Sequence, residues 1–175
     1  MLKRRRQSGF TLIELLITIA IVALLASLAA PSFQVMLANA QVRTASQGVF
    51  DGLQLARVEA IRRNERVIFT KGTQSDWTVT VESSGATVQA RPATEGSPSV
   101  LATATPANAA QITFDGLGRP KANTDASATI TQLDTSFPTS MVPAASIHNL
   151  RVTVSSGGAV RLCDPNASAG GATAC

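Results

Sequence analysis

The sequence predicts an α+β protein: a long N-terminal transmembrane α-helix packed on a C-terminal antiparallel β-sheet domain. Three observations predict it. From Phe10 to Ala30 the chain is apolar except for Glu14, and as a helix that run rises about 31 Å, enough to cross a hydrocarbon core. From Val42 the apolar residues Val42, Ala45, Val49, Leu53, Ala56 and Ala60 recur every three or four positions, the mark of one helical face. Beyond Asn64 the period shortens to two, and turn residues separate short β-branched runs.

The basic cluster Lys3 to Arg6 precedes the apolar run. This places the N-terminus in the cytoplasm and everything after Ala30 on the far side of the membrane. A secretory signal would be cut after its apolar segment at a small-residue site. Here Pro31 and a helix-compatible stretch follow instead. Pro31 removes a backbone donor and should bend the helix or break it locally. Gly48 and Gly52 each weaken the helix by about 1 kcal/mol relative to alanine, so tertiary packing must hold it. One interrupted helix is expected from Phe10 to about Asn64.

The stretch Arg6-Gln7-Ser8-Gly9-Phe10-Thr11-Leu12-Ile13-Glu14-Leu15 resembles the leader of type IV prepilins and type II secretion pseudopilins. The resemblance implies a pilin-like helix, cleavage between Gly9 and Phe10 by a prepilin peptidase, and N-methylation of Phe10. The protein would be a substrate of that enzyme and not itself an enzyme. It also implies a role for Glu14. An acidic group in a membrane helix costs about 2.5–3.5 kcal/mol. In the family the equivalent glutamate meets the methylated amine of a neighbouring subunit during filament assembly. The competing account of Glu14 is a carboxylate near a helix end that reaches the interface. The chain thus divides into a leader (1–9), a transmembrane part (10–30), an amphipathic continuation (31–65) and a β-rich globular domain (66–175).

Composition limits the partners. The chain carries 15 basic and 11 acidic side chains. Without Lys3, Arg4, Arg5 and Arg6 the count is 11 against 11, so bulk charge gives no argument for nucleic acid. The two cysteines, Cys163 and Cys175, fall in an oxidising compartment by the orientation above and read as a disulfide. It would tie down a tail rich in Gly, Ala and Ser. No phosphate loop, nucleophile elbow or metal-spaced histidine cluster is present, and no cofactor is expected. His148, the one histidine, has no motif partner.

In the globular part, residues 67–70 and 77–81 read as a hairpin, and 86–90 as a third strand. Residues 91–110 read as a mobile loop, 111–115 as a strand, 121–128 as a polar loop and 128–133 as a further strand. Pro138 and Pro143 bracket an irregular connection. Trp77 reads as a core residue of the sheet. In the last hairpin, a three-residue loop Ser156-Gly157-Gly158 sets Val154 against Val160 and Val152 against Leu162. Arg151 and Arg161 then share the outer face as diagonal neighbours.

Arg57-Val58-Glu59-Ala60-Ile61-Arg62-Arg63-Asn64, Phe114-Asp115-Gly116 with Gly118-Arg119, and the closing Val160-Arg161-Leu162-Cys163 resemble the GspH/FimT branch of minor pilins and pseudopilins. The resemblance implies a subunit of a type IV pilus or type II secretion pseudopilus, anchored in the bacterial inner membrane with its C-terminal domain periplasmic. Its partners would be other pilins or pseudopilins, and the two C-terminal cysteines favour the pilus-associated FimT and FimU members. The FimT group also implies DNA as a partner, through a C-terminal G-R-x-R motif. Here the motif reads Gly158-Ala159-Val160-Arg161, with Arg151 as a substitute cation on the partner strand. Two arginines make few phosphate contacts, so binding would be weak and salt-dependent. A solvated strand face is preferred over a DNA site. A different class, a membrane-tethered ligand-binding domain outside any filament, predicts no cut at Gly9.

Overall fold

The structure is a computed structural model that describes residues 10–168 and 170–175. Gly9, and with it the expected cleavage point, lies outside the described residues. Helix α1 spans Leu12–Arg63 and runs through Pro31 without a break. Thr11 caps its start: the Thr11 Oγ1 accepts the Glu14 N–H at 3.2 Å. Asn64 ends it in the left-handed conformation (φ 52°, ψ 37°), its N–H reaching the Ala60 and Ile61 carbonyls. Asparagine tolerates that conformation better than most residues.

Among the described residues, nine strands follow in two antiparallel sheets. Strands β1 (Val67–Lys71), β2 (Trp77–Val81), β3 (Thr87–Arg91), β5 (Gln111–Phe114) and β6 (Pro120–Lys121) form one, ordered β3-β2-β1-β5-β6. Strands β4 (Leu101–Thr105), β7 (Gln132–Ser136), β8 (Leu150–Val154) and β9 (Val160–Cys163) form the other, ordered β4-β7-β8-β9. The second half of α1 lies across both. Its predicted face is buried throughout, and from Val49 to Ala60 it packs against Val67, Phe69, Trp77, Val79, Ile112, Phe114, Leu133 and Val152. A smaller cluster nearer the bare N-terminal half of α1 joins Ala38, Val42 and Ala45 to Val100, Val142 and Ile147. Asn39 fastens that end: its amide donates to the Ser146 carbonyl at 2.9 Å, and its Oδ1 accepts the His148 N–H at 2.8 Å.

The glycines expected to weaken α1 are where the sheet comes closest. A Cβ at Gly52 would stand 2.8 Å from Trp77 Cδ2 and 2.9 Å from Phe69 Cε2. The backbone gives up helix propensity so that two aromatic rings can reach it.

Three readings of the β-domain need correction. Residues 91–110 are not one loop, because β4 lies within them and pairs along its length with β7. Its inward positions are Ala102 and Ala104, too small to stand out in a Pro/Ala/Thr/Ser context. The strand expected at 128–133 is Gln132–Ser136, where the buried positions are Leu133 and the polar Thr135. Within 121–128, Lys121 belongs to the two-residue strand β6. The closing hairpin has the predicted register, Val152 opposite Leu162 and Val154 opposite Val160. Gly158 takes the positive φ (82°) that the loop requires.

Candidate functional site

Two regions carry the chemistry. The first is the start of α1. From Phe10 to Leu28 every large apolar side chain is at least half exposed, with Phe10 at 86%. The 18-residue window that is apolar enough to span a membrane buries nothing against its own domain. Glu14 stands in this bare stretch, and among the described residues no cation lies within ion-pair reach of it. Its backbone serves the Thr11 cap, while its carboxylate in the first turn lies favourably toward the helix N-terminus.

The second is the far end of α1, where residues 57–64 meet the turn between β5 and β6. Arg57 Nε donates to the Gly118 carbonyl at 3.1 Å. Glu59 accepts from Arg62 (3.0 and 2.7 Å) and from Arg63 (2.7 Å). Those hydrogen bonds hold its carboxyl down at about 2. Asp115 Oδ1 accepts the N–H of Arg119 at 2.9 Å and of Leu117 at 3.0 Å, which lowers that carboxyl too and closes the β5–β6 turn. Gly116 lies under Asn64, where a Cβ would meet Asn64 Oδ1 at 2.5 Å. Gly158 lies under the same turn, where a Cβ would meet the Gly118 carbonyl at 1.9 Å. The helix end, the β5–β6 turn and the β8–β9 turn therefore meet in one close-packed junction.

Arg151 and Arg161 share a face, as the register requires, but neither guanidinium is free. Arg151 donates to Asp134 through Nε (2.6 Å) and Nη2 (3.2 Å), which raises its own pKa. Arg161 Nη2 donates to the Ala174 carbonyl at 2.7 Å. Sequence reasoning missed both acceptors. Asp134 lies on a strand read too far upstream, and Ala174 arrives only because the tail folds back. Cys163 and Cys175 are bonded, and Asp164 bridges Ala174 beside them. Among the described residues no cluster of three or more His, Cys, Asp or Glu side chains could hold a metal ion.

A helix bare for one half, seated on antiparallel sheets for the other, and opened by a cap next to a lone acid defines a pilin-like subunit. Comparison with known proteins narrows this. Residues 45–158 match the family model for the type II transport protein GspH, and residues 4–30 match the prokaryotic N-terminal methylation motif. The chain belongs to the GspH family, within the minor pilins and pseudopilins. A fimbrial protein of Moraxella nonliquefaciens is 47% identical over 60 residues, a stretch spanning 34% of this chain and 38% of that protein. In fold the chain is similar to the type IV minor pilin FimU of Pseudomonas aeruginosa. That match has a TM-score of 0.50 at 16% identity, over 69% of this chain and 87% of that one.

Proposed function

We propose that this protein is a subunit of a type IV pilus or type II secretion pseudopilus that enters the filament through the first half of α1. The observation that carries this reading is the bare helix. About 31 Å of apolar surface has no cover in its own domain, so lipid must cover it before assembly and other subunits afterwards. Prepilin peptidase would cut between Gly9 and Phe10, and Phe10 would be methylated. Glu14 would then meet the N-terminal amine of a neighbouring subunit, an ion pair that offsets the cost of burying each charge and sets the register between them. Pro31, where α1 loses one backbone donor, is the position at which a bend would tilt the anchor against the periplasmic domain.

The test is the mass of the N-terminus from membranes. Processing predicts a chain that begins with methylated Phe10. A chain that keeps Met1 to Gly9 would instead support a tethered domain outside any filament. A pilus role and a secretion role separate in a deletion strain, by lost twitching or by lost export of secreted enzymes. DNA uptake has less support, because Asp134 and the Ala174 carbonyl already hold Arg151 and Arg161.

A further inference from the structure

A polar cleft of about 360 Å³ opens between α1 and β3, lined by Asp51, Leu55, Trp77, Gln89, Arg91 and Glu95. It is built by the same helix glycines. A Cβ at Gly48 would fall 1.7 Å from Arg91 Nη1, and one at Gly52 would fall 2.8 Å from the Trp77 ring, so both side chains can lie against the helix backbone. Arg91 is held in place by its Nη2, which donates to the Glu95 carbonyl at 3.1 Å, with Nε 4.0 Å from the Glu95 carboxylate. Trp77 is 3% exposed, and its indole N–H has no acceptor among the described residues.

We infer that this cleft binds a neutral saccharide unit. The lining sets the chemistry. Glu95 and Asp51 only accept hydrogen bonds, Asp51 already taking one at Oδ1 from Gln47 (2.8 Å), Arg91 only donates, and Gln89 does both. A partner for these four side chains needs several groups that each donate and accept in a small volume, as the hydroxyls of a sugar ring do. Leu55 offers an apolar surface for the ring's C–H face. Two carboxylates against one guanidinium disfavour phosphates and other anions. The volume sits at the low end of the ~300–1,000 Å³ typical of small-ligand sites, which suits one sugar residue of a glycan or a free sugar. The inference does not depend on the filament reading.

Trp77 is the single tryptophan and the chain has no tyrosine, so indole emission reports this site alone. The full chain, in micelles of a sugar-free detergent, is titrated with glucose, galactose, N-acetylglucosamine and the N-acetylglucosamine tetramer, with glucuronate as the anionic comparison. The expected result is a saturable change in Trp77 emission with at least one neutral sugar. Gln89→Ala and Glu95→Ala, both at exposed positions, should each weaken it by about tenfold, the effect of one lost hydrogen bond to the ligand. A tetramer that binds more tightly than its monomer assigns the site to a glycan chain, and equal affinity assigns it to a single sugar. No saturable change up to about 100 mM, where even millimolar affinity saturates, would overturn the inference. So would tighter binding of glucuronate, or unchanged affinity in both variants.

Discussion

Trp77 lies against the backbone of α1 at Gly52, where a Cβ would stand 2.8 Å from Trp77 Cδ2 and 2.9 Å from Cε2. Gly52→Ala therefore overpacks a rigid contact. The cost of overpacking, about 1–3 kcal/mol, outweighs the roughly 1 kcal/mol that alanine adds to helix propensity. Urea unfolding of the full chain in micelles should show a lower midpoint. Gly48→Ala is the comparison: its Cβ meets the guanidinium end of Arg91, whose shift costs at most the hydrogen bond to the Glu95 carbonyl, so stability should fall less than in Gly52→Ala.

The Glu59 carboxyl is held at about 2, against 4.5 for the free group, by hydrogen bonds from Arg62 and Arg63. A depressed carboxylate adds stability above its unfolded pKa and loses it as pH falls through the folded one. The contribution should be complete above about 4.5 and gone below about 2. Thermal melts of Glu59→Gln against the natural chain should differ near neutrality and converge across that window. A gap that persists at the acid end would assign the effect to packing.

Cys175→Ala removes the bond that closes the tail, a separation of 12 residues. A loop this short adds about 3 kcal/mol at most, and the tail is peripheral to both apolar clusters. The main readout is limited proteolysis. Cleavage between 164 and 175 should rise sharply while the β-domain stays intact.

Duplex DNA should bind this chain weakly or not at all at about 100 mM salt. Arg151 is neutralised by Asp134, and one remaining cation releases few counterions. Saturable binding that weakens with salt and is lost in Arg161→Ala would restore the DNA-uptake reading.

What was legible in the sequence follows from which side chains carry the pattern. The buried face of α1 was readable because Val42, Val49 and Leu53 are large and recur at helical spacing. The β8–β9 register was readable because valine and leucine alternate with arginine and threonine. Strand β4 was hidden because its inward residues are Ala102 and Ala104. Strand β7 was displaced because Thr135 is polar yet buried, bonded to the Leu150 carbonyl at 3.0 Å. The two glycines of α1 read as weak points that packing must hold, but nothing in their spacing shows that Trp77 and Arg91 fill the space. The cleft beside them was invisible for a similar reason. Asp51 lies on the helix, Gln89 and Arg91 on β3, and Glu95 in the loop beyond, so only the fold brings them together.

Whether the bare helix with Glu14 builds this protein into a filament is decided by Glu14→Ala in cells. The share of the protein recovered in sheared filaments is measured beside the share left in membranes. Membrane levels should be unchanged and incorporation reduced about tenfold or more, because the neighbour's amine is left buried without a partner. Incorporation equal to the natural chain would contradict it.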